Sequence, residues 1–280
     1  MNENDSRNKS FPRHASLAAR AWQGALKRIG ALAGVILFLA LWEWANGLYG
    51  DFMMPGPIEA LAELADRVAN GEAFHYALET AGRALLGFAG AALIGTIAGT
   101  LAGASTGLGR LLEPVSTVLL GIPPIAWIVL AILWFGSTLM TPVFTVIITS
   151  IPITFAGAQM GMRTRDPGLD ELARVYGLGP VARVRELYLP HLFSYLFPTL
   201  ITAMGVAWKV TVMAELFAME TGIGAGLAQA RVALDTAAAQ AWMLLVVMLL
   251  LFMEHGLLRP LQRRLEPWRS GAGGRGVEVV

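Results

Sequence analysis

Six long apolar stretches separated by polar segments organise this chain: Ile29–Tyr49, Leu85–Gly103, Leu111–Phe135, Thr141–Gly161, Leu192–Ala214 and Ala237–Leu258. Each approaches or exceeds the ~20 residues that a helix needs to cross a ~30 Å hydrocarbon core. The pattern predicts an all-α, polytopic membrane protein with six transmembrane helices. Between the fourth and fifth stretches lies a polar, arginine-bearing insert, RDPGLDELARVYGLGPVARVRELYLP, from Arg165 to Pro190. Asp166 reads as an N-cap with Pro167 at the first helical position, and Gly177 is placed to cap the C-terminus. Gly179-Pro180 opens a second short helix with Val181, Val184 and Leu187 on one face, and Leu189-Pro190 is expected to end it. The insert is thus predicted to be a helix–turn–helix elbow. Each half is about ten residues, below the ~12–15 at which an isolated helix holds in water, so docking to something else is its expected job.

Composition agrees with a membrane protein: 55% of residues are hydrophobic, 15% are charged, and the mean hydropathy is +0.58. A net charge of +1 argues against a nucleic-acid partner, and the absence of cysteine excludes disulfides and thiolate metal sites. Arginine and lysine sort by side. With both termini cytoplasmic, the inner segments hold Arg7, Lys9, Arg13, Arg20, Lys27, Arg28, Arg110, Arg163, Arg165, Arg174, Arg183, Arg185, Arg259, Arg263, Arg264, Arg269 and Arg275. The outside and the spans keep only Arg67, Arg83, Lys209 and Arg231. The positive-inside rule therefore places the insert, bounded as 163–190, in the cytoplasm. The expected organisation is a cytoplasmic segment 1–28, a membrane domain 29–268 and a disordered Gly-rich tail 269–280. The N-terminal apolar run has no small-residue cleavage site and is read as a retained span.

Within the spans, Gly87, Ala91, Gly95, Gly99, Gly103 and Gly107 recur at every fourth position and predict a close helix–helix contact. Pro123 and Pro124 in the third span and Pro152 in the fourth are expected to kink or locally unwind their helices. Irregular backbone in a bilayer must be buried in protein or face a watery cavity, so these prolines either border a translocation path or serve packing alone. Lys209, in the outer part of the fifth span, is either a cation on that path or a structural partner of Glu215 or of another span. Two short glycine patterns carry less. Thr221–Gly226 lacks the lysine of a phosphate loop and reads as a flexible turn or a short re-entrant piece. Gly103–Gly107 matches GxSxG but leaves a helix rather than a strand.

The insert also carries a family resemblance. Glu171, Leu172 and Ala173, then Gly177 after three intervening residues, then Leu187, Leu189 and Pro190 after nine more, resemble the EAA loop of ATP-binding-cassette importer permeases. Leu172 stands where that pattern has alanine and Leu187 where it has isoleucine. Met54-Pro55-Gly56-Pro57, Gly121–Gly136 and Trp208–Gly226 resemble the nitrate, sulfonate and taurine branch. The resemblance implies a permease fold of the type I importers and a bacterial plasma-membrane location. It implies that the elbow inserts into a separate cytoplasmic ATPase, which would bind the ATP. It further implies an extracytoplasmic solute-binding protein, a second permease copy, and a small anion such as an aliphatic sulfonate, taurine or nitrate as cargo.

Competing classes fare less well on the same residues. A secondary transporter or channel would show mid-membrane carboxylates for ion coupling or inverted repeats. A membrane-embedded enzyme would need convergent catalytic or metal-binding side chains, and the histidines His14, His75, His191 and His255 are scattered. No catalytic residue, metal site or resident cofactor is therefore expected.

Overall fold

The computed structural model describes residues 17–258 and Pro260. Residues 1–16 of the N-terminal segment and the whole 269–280 tail lie outside them. The described residues are helical throughout apart from connections, with no strand among them. Five of the helices are long and apolar enough to cross a membrane, or six if one bent pair counts as a single span.

The chain divides into two units, residues 1–59 and 60–280. The first holds α1 (Leu17–Tyr49), a 33-residue helix that begins ahead of the predicted span. Its Trp42 Nε1 donates to the Pro55 carbonyl at 2.9 Å, and Asn46 Nδ2 donates to the Met54 carbonyl at 2.9 Å and to Asp51 at 2.8 Å. The Met54-Pro55-Gly56-Pro57 turn is thereby fastened to the end of the helix that precedes it.

The second unit is a bundle built around α3 (Glu72–Ala104), α6 (Met140–Arg163) and α9 (Leu189–Ala218). Glycine explains why α3 and α6 pack so closely. A Cβ built on Gly87 would lie 2.5 Å from Val146 Cβ, one on Gly99 would lie 2.9 Å from Ala158 Cβ, and one on Gly103 would lie 2.5 Å from Met162 Cβ. Gly95 would collide with Thr154, whose hydroxyl donates across the interface to the Ala91 carbonyl at 3.0 Å. Small residues let backbones approach where lipid supplies no hydrophobic drive, and the threonine adds an interhelical hydrogen bond. The opposite side of α3 shows Leu93, Ile97 and Leu101, all exposed and suited to lipid. Gly107 does not belong to this stripe, because α3 ends at Ala104 and Gly107 sits in α4 (Thr106–Gly121). Ser105 of the GxSxG pattern caps α4, accepting from the Leu108 amide.

The expected third span is not one helix. α4 and α5 (Pro124–Phe135) meet at a 93° bend. Proline disfavours helical backbone in the residue before it, and Ile122 is accordingly extended at φ −83°, ψ 123°. Pro123 continues that extension and Pro124 starts α5 at its first turn, where no amide donor is missed. Pro152, in contrast, causes no unwinding: it lies buried inside an unbroken α6.

The remaining elements close one end of the bundle. α2 (Pro57–Ala69), α10 (Ile223–Ala233) and α11 (Thr236–Leu251) share a core with α3 and α9 formed by Leu64, Ala84, Trp208, Ile223 and Trp242. Tyr76 stacks on Trp242 at 5.2 Å, and the Arg67 guanidinium lies 5.1 Å from the same ring system. A π-helical turn, Phe252–Leu258, continues α11.

Candidate coupling and translocation sites

The insert begins as predicted by its capping residues. Asp166 Oδ1 accepts from the Gly168 amide at 2.8 Å and opens α7 (Pro167–Val175). At the far end Gly177 takes φ 70°, the Leu178 amide donates to the Ala173 carbonyl at 2.9 Å, and the Gly177 amide donates to Arg174 at 3.0 Å. This left-handed closure satisfies carbonyls that the helix end leaves open. Glu171, Leu172 and Gly177 are exposed, whereas Ala173 is buried.

The second half departs from expectation. A single turn, α8 (Pro180–Arg183), runs into a π-helical segment, Val184–Tyr188, and directly on into α9. Leu189-Pro190 ends nothing: Pro180 to Ala218 is one 39-residue helix. The extra residue of the π turn explains this. The Leu189 amide reaches back five positions to the Val184 carbonyl, and Pro190, which has no amide to give, follows immediately. Leu187 is half-buried, and Leu189 and Pro190 are exposed. Arg165 lies 4.5 Å from the Tyr188 ring and Arg183 Nε donates to the Leu178 carbonyl at 2.8 Å, which folds the elbow on itself.

At the opposite end of α9 sits a polar cluster that sequence reasoning missed. Glu215 is fully buried, and its carboxylate accepts from Arg83 Nη1 at 2.7 Å, from Thr80 Oγ1 at 2.8 Å and from the Gly224 amide at 3.1 Å. Thr80 Oγ1 accepts in turn from the Ile223 amide at 2.9 Å. Arg83 also donates to the Thr221 carbonyl at 2.7 Å and to Glu79 at 2.7 Å, and the Thr221 hydroxyl donates to Glu79. The TGIGAG stretch is therefore the firmly held start of α10, its amides spent on a carboxylate and a hydroxyl, not a flexible turn. Gly222, at φ 105°, leaves no room for a side chain beside Glu215 and Arg83. Because Arg83 occupies Glu215, the expected alternative of a Lys209–Glu215 pair is wrong.

Lys209 is instead exposed and makes no ion pair among the described residues. It shares one face of α9 with Tyr195, Thr199 and Thr202, since spacings of four, three and seven residues return to the same side of an α-helix. From Tyr195 to Lys209 the face runs ~21 Å at 1.5 Å per residue. Pro123 is exposed and Pro124 half-buried at the break between α4 and α5. No three histidine, aspartate or glutamate side chains converge on a possible metal position among the described residues.

Comparison with known proteins decides the family. Residues 91–267 match the binding-protein-dependent transport system inner membrane component. The chain belongs to this family. It is similar to the nitrate import permease protein NrtB of Synechococcus elongatus, with 28% identity covering 67% of this chain and 71% of that protein. It is similar to the putative aliphatic sulfonates transport permease protein SsuC of Bacillus subtilis, with 27% identity covering 95% and 97%. A third relative, the bicarbonate transport system permease protein CmpB of Synechococcus elongatus, shares 28% identity over 66% of this chain and 70% of its own length. Among solved structures, an inward-facing MetNI methionine ABC transporter superposes with a TM-score of 0.58 at 17% identity, covering 67% of this chain and 93% of that one. The fold is thus that of a type I importer permease. This permease is a multi-pass bacterial inner-membrane protein of a binding-protein-dependent ABC importer. Membership in such a system implies an ATPase and a solute-binding protein as partners.

Proposed function

We propose that this chain forms the solute pathway of an ATP-driven importer and receives the work of ATP hydrolysis through the 166–190 elbow. One observation carries the coupling role. Leu169, Leu172, Val175 and Tyr176 stand exposed on α7 and its cap, outside every span, where apolar surface calls for a protein partner. Glu171 lies among them, and Gly177, Leu187, Leu189 and Pro190 fix the shape around them. ATP is bound and hydrolysed by the partner, and this chain is a non-catalytic subunit without a resident cofactor. Two copies of the permease complete the pathway, with the termini and the elbow on the cytoplasmic side as the arginine distribution favours.

The cargo is a small anion. The three relatives carry nitrate, aliphatic sulfonates and bicarbonate in their names, and the exposed Lys209 on the polar face of α9 offers a cation on the path. An ion-coupled secondary transporter would instead need a free membrane carboxylate. Glu215 is taken by Arg83, Thr80 and Gly224, which favours the ATP-driven reading.

Glu171→Arg tests the coupling. The variant is expected to insert normally, to lose copurification with the ATPase and to lose uptake. Full copurification together with full uptake overturns the assignment.

A further inference from the structure

α6 ends and α9 begins beside the elbow, and between them lies a cleft of about 410 Å³ lined by Gly157, Gln159, Met160, Arg163, Tyr195 and Thr199, together with Ala156. That volume is at the small end of what organic ligands occupy. A Cβ on Gly157 would collide with Thr199, so the glycine lets α9 close the back of the cleft tightly. Its walls are mostly apolar, and its polar residues are Gln159, Arg163, Tyr195 and Thr199, of which Thr199 already donates its hydroxyl proton to the Leu196 carbonyl at 2.7 Å.

Gln159 is the most telling of these. It is only 8% exposed, and its Nε2 has no hydrogen-bond partner among the described residues. Buried amides are almost always satisfied, so this one calls for a partner. Arg163 contributes a guanidinium of which Glu113 engages Nη1 alone, and Tyr195 contributes a hydroxyl with no intramolecular hydrogen bond among the described residues. Amide, hydroxyl and guanidinium together are a donor set for an anionic head. Met160 and the aromatic ring of Tyr195 suit a short apolar tail. Tyr195 and Thr199 also belong to the polar face that leads to Lys209, so the cleft terminates that face at the elbow end.

We propose that the α6–α9 cleft is a holding site for a small organic anion of the alkylsulfonate class, with Gln159 and Tyr195 donating to the head group beside the positive charge of Arg163. The inference rests on the importer reading above and adds to it a site and a substrate class. A phospholipid head group presents the same chemistry, so the test separates the two sources.

The decisive measurement is calorimetric titration of sodium butanesulfonate into the full chain, purified with its ATPase and held in nanodiscs of zwitterionic lipid, against sodium chloride at equal ionic strength. Wild type is expected to bind saturably. Gln159→Glu keeps the length of the side chain but sets a carboxylate against the anionic head, and is expected to bind about tenfold more weakly or worse. No saturable binding by wild type, or equal affinity in Q159E, overturns the proposal. Gln159→Leu deletes the unpaired donor and is expected to lose binding while melting no earlier than wild type. A Q159L that fails to fold assigns the glutamine to packing and overturns it as well. Binding that vanishes when anionic phosphatidylglycerol replaces the zwitterionic lipid names the lipid as the occupant, again overturning the assignment to solute. Failure of the importer reading shows differently, as a wild-type chain that neither retains an ATPase nor supports uptake. The titration is run on the full chain in either case.

Discussion

Arg83 on α3 and Glu215 on α9 stand 132 positions apart in sequence and meet at 2.7 Å in the interior of the bundle. The pair is nearly sealed from solvent, with side-chain exposures of 9% and 0%. Thr80, Thr221 and the first amides of α10 satisfy most of the remaining hydrogen-bonding capacity, so three helices are joined through one carboxylate.

Breaking this pair on one side leaves an uncompensated buried charge. Arg83→Leu is expected to destabilise the permease by on the order of 3–5 kcal/mol, whereas the double change Arg83→Leu with Glu215→Leu recovers much of the loss. Thermal unfolding of the detergent-solubilised protein checks this. A double variant no better than R83L removes the charge-pair explanation.

The α3–α6 contact tolerates no added atom at its tightest points. Gly95→Ala is expected to cost about 1–3 kcal/mol by forcing the helices apart against Thr154, while a serine at exposed Gly82, which has open space around it, is expected to cost little. Melting temperatures of the two variants, measured side by side, should separate clearly. Equal shifts would mean that the glycine stripe is not what sets the spacing.

Gly177 holds the end of α7 at φ 70° with nothing around it. The cost of a side chain there is conformational, roughly 1–2 kcal/mol for an ordinary residue in left-handed backbone. Gly177→Val is therefore expected to loosen the α7 cap and raise amide hydrogen exchange at Leu178, with the spans unaffected. Unchanged exchange at Leu178 contradicts this.

Lys209→Met tests the cation on the α9 face. Loss of a contact worth about 1.4 kcal/mol lowers anion occupancy tenfold, so uptake is expected to fall by about that factor while assembly with the ATPase persists. Unchanged uptake kinetics return Lys209 to a structural role.

Much of the fold was legible in the chain because helices in lipid announce themselves by length and apolarity. The first, second, fourth, fifth and sixth predicted spans each fall within a long helix. Hydropathy fails where polar residues are buried by pairing. α3 starts at Glu72, well before the predicted Leu85, because Glu79, Thr80 and Arg83 find partners on α9 and at the start of α10. Nothing local marks Arg83 and Glu215 as partners; only the coincidence of one cation and one carboxylate near the edges of separate spans hints at it. The Asp166 and Gly177 caps were readable because they depend on neighbours a few residues away. The continuation through Pro190 was not, since proline normally ends a helix and a π turn has no dependable sequence signal. Gln159 escaped notice for a related reason: one amide in an apolar run acquires meaning only when α9 closes the cleft around it.

The uninterrupted run from Pro180 to Ala218 has a mechanical consequence. At ~1.5 Å per residue it is a strut longer than the bilayer core is thick, with the elbow at its foot and Glu215 near its head. Between foot and head the chain passes through no loop, only the looser π turn at Val184–Tyr188 and the proline Pro198 inside α9, so the two ends are joined by one continuous helix.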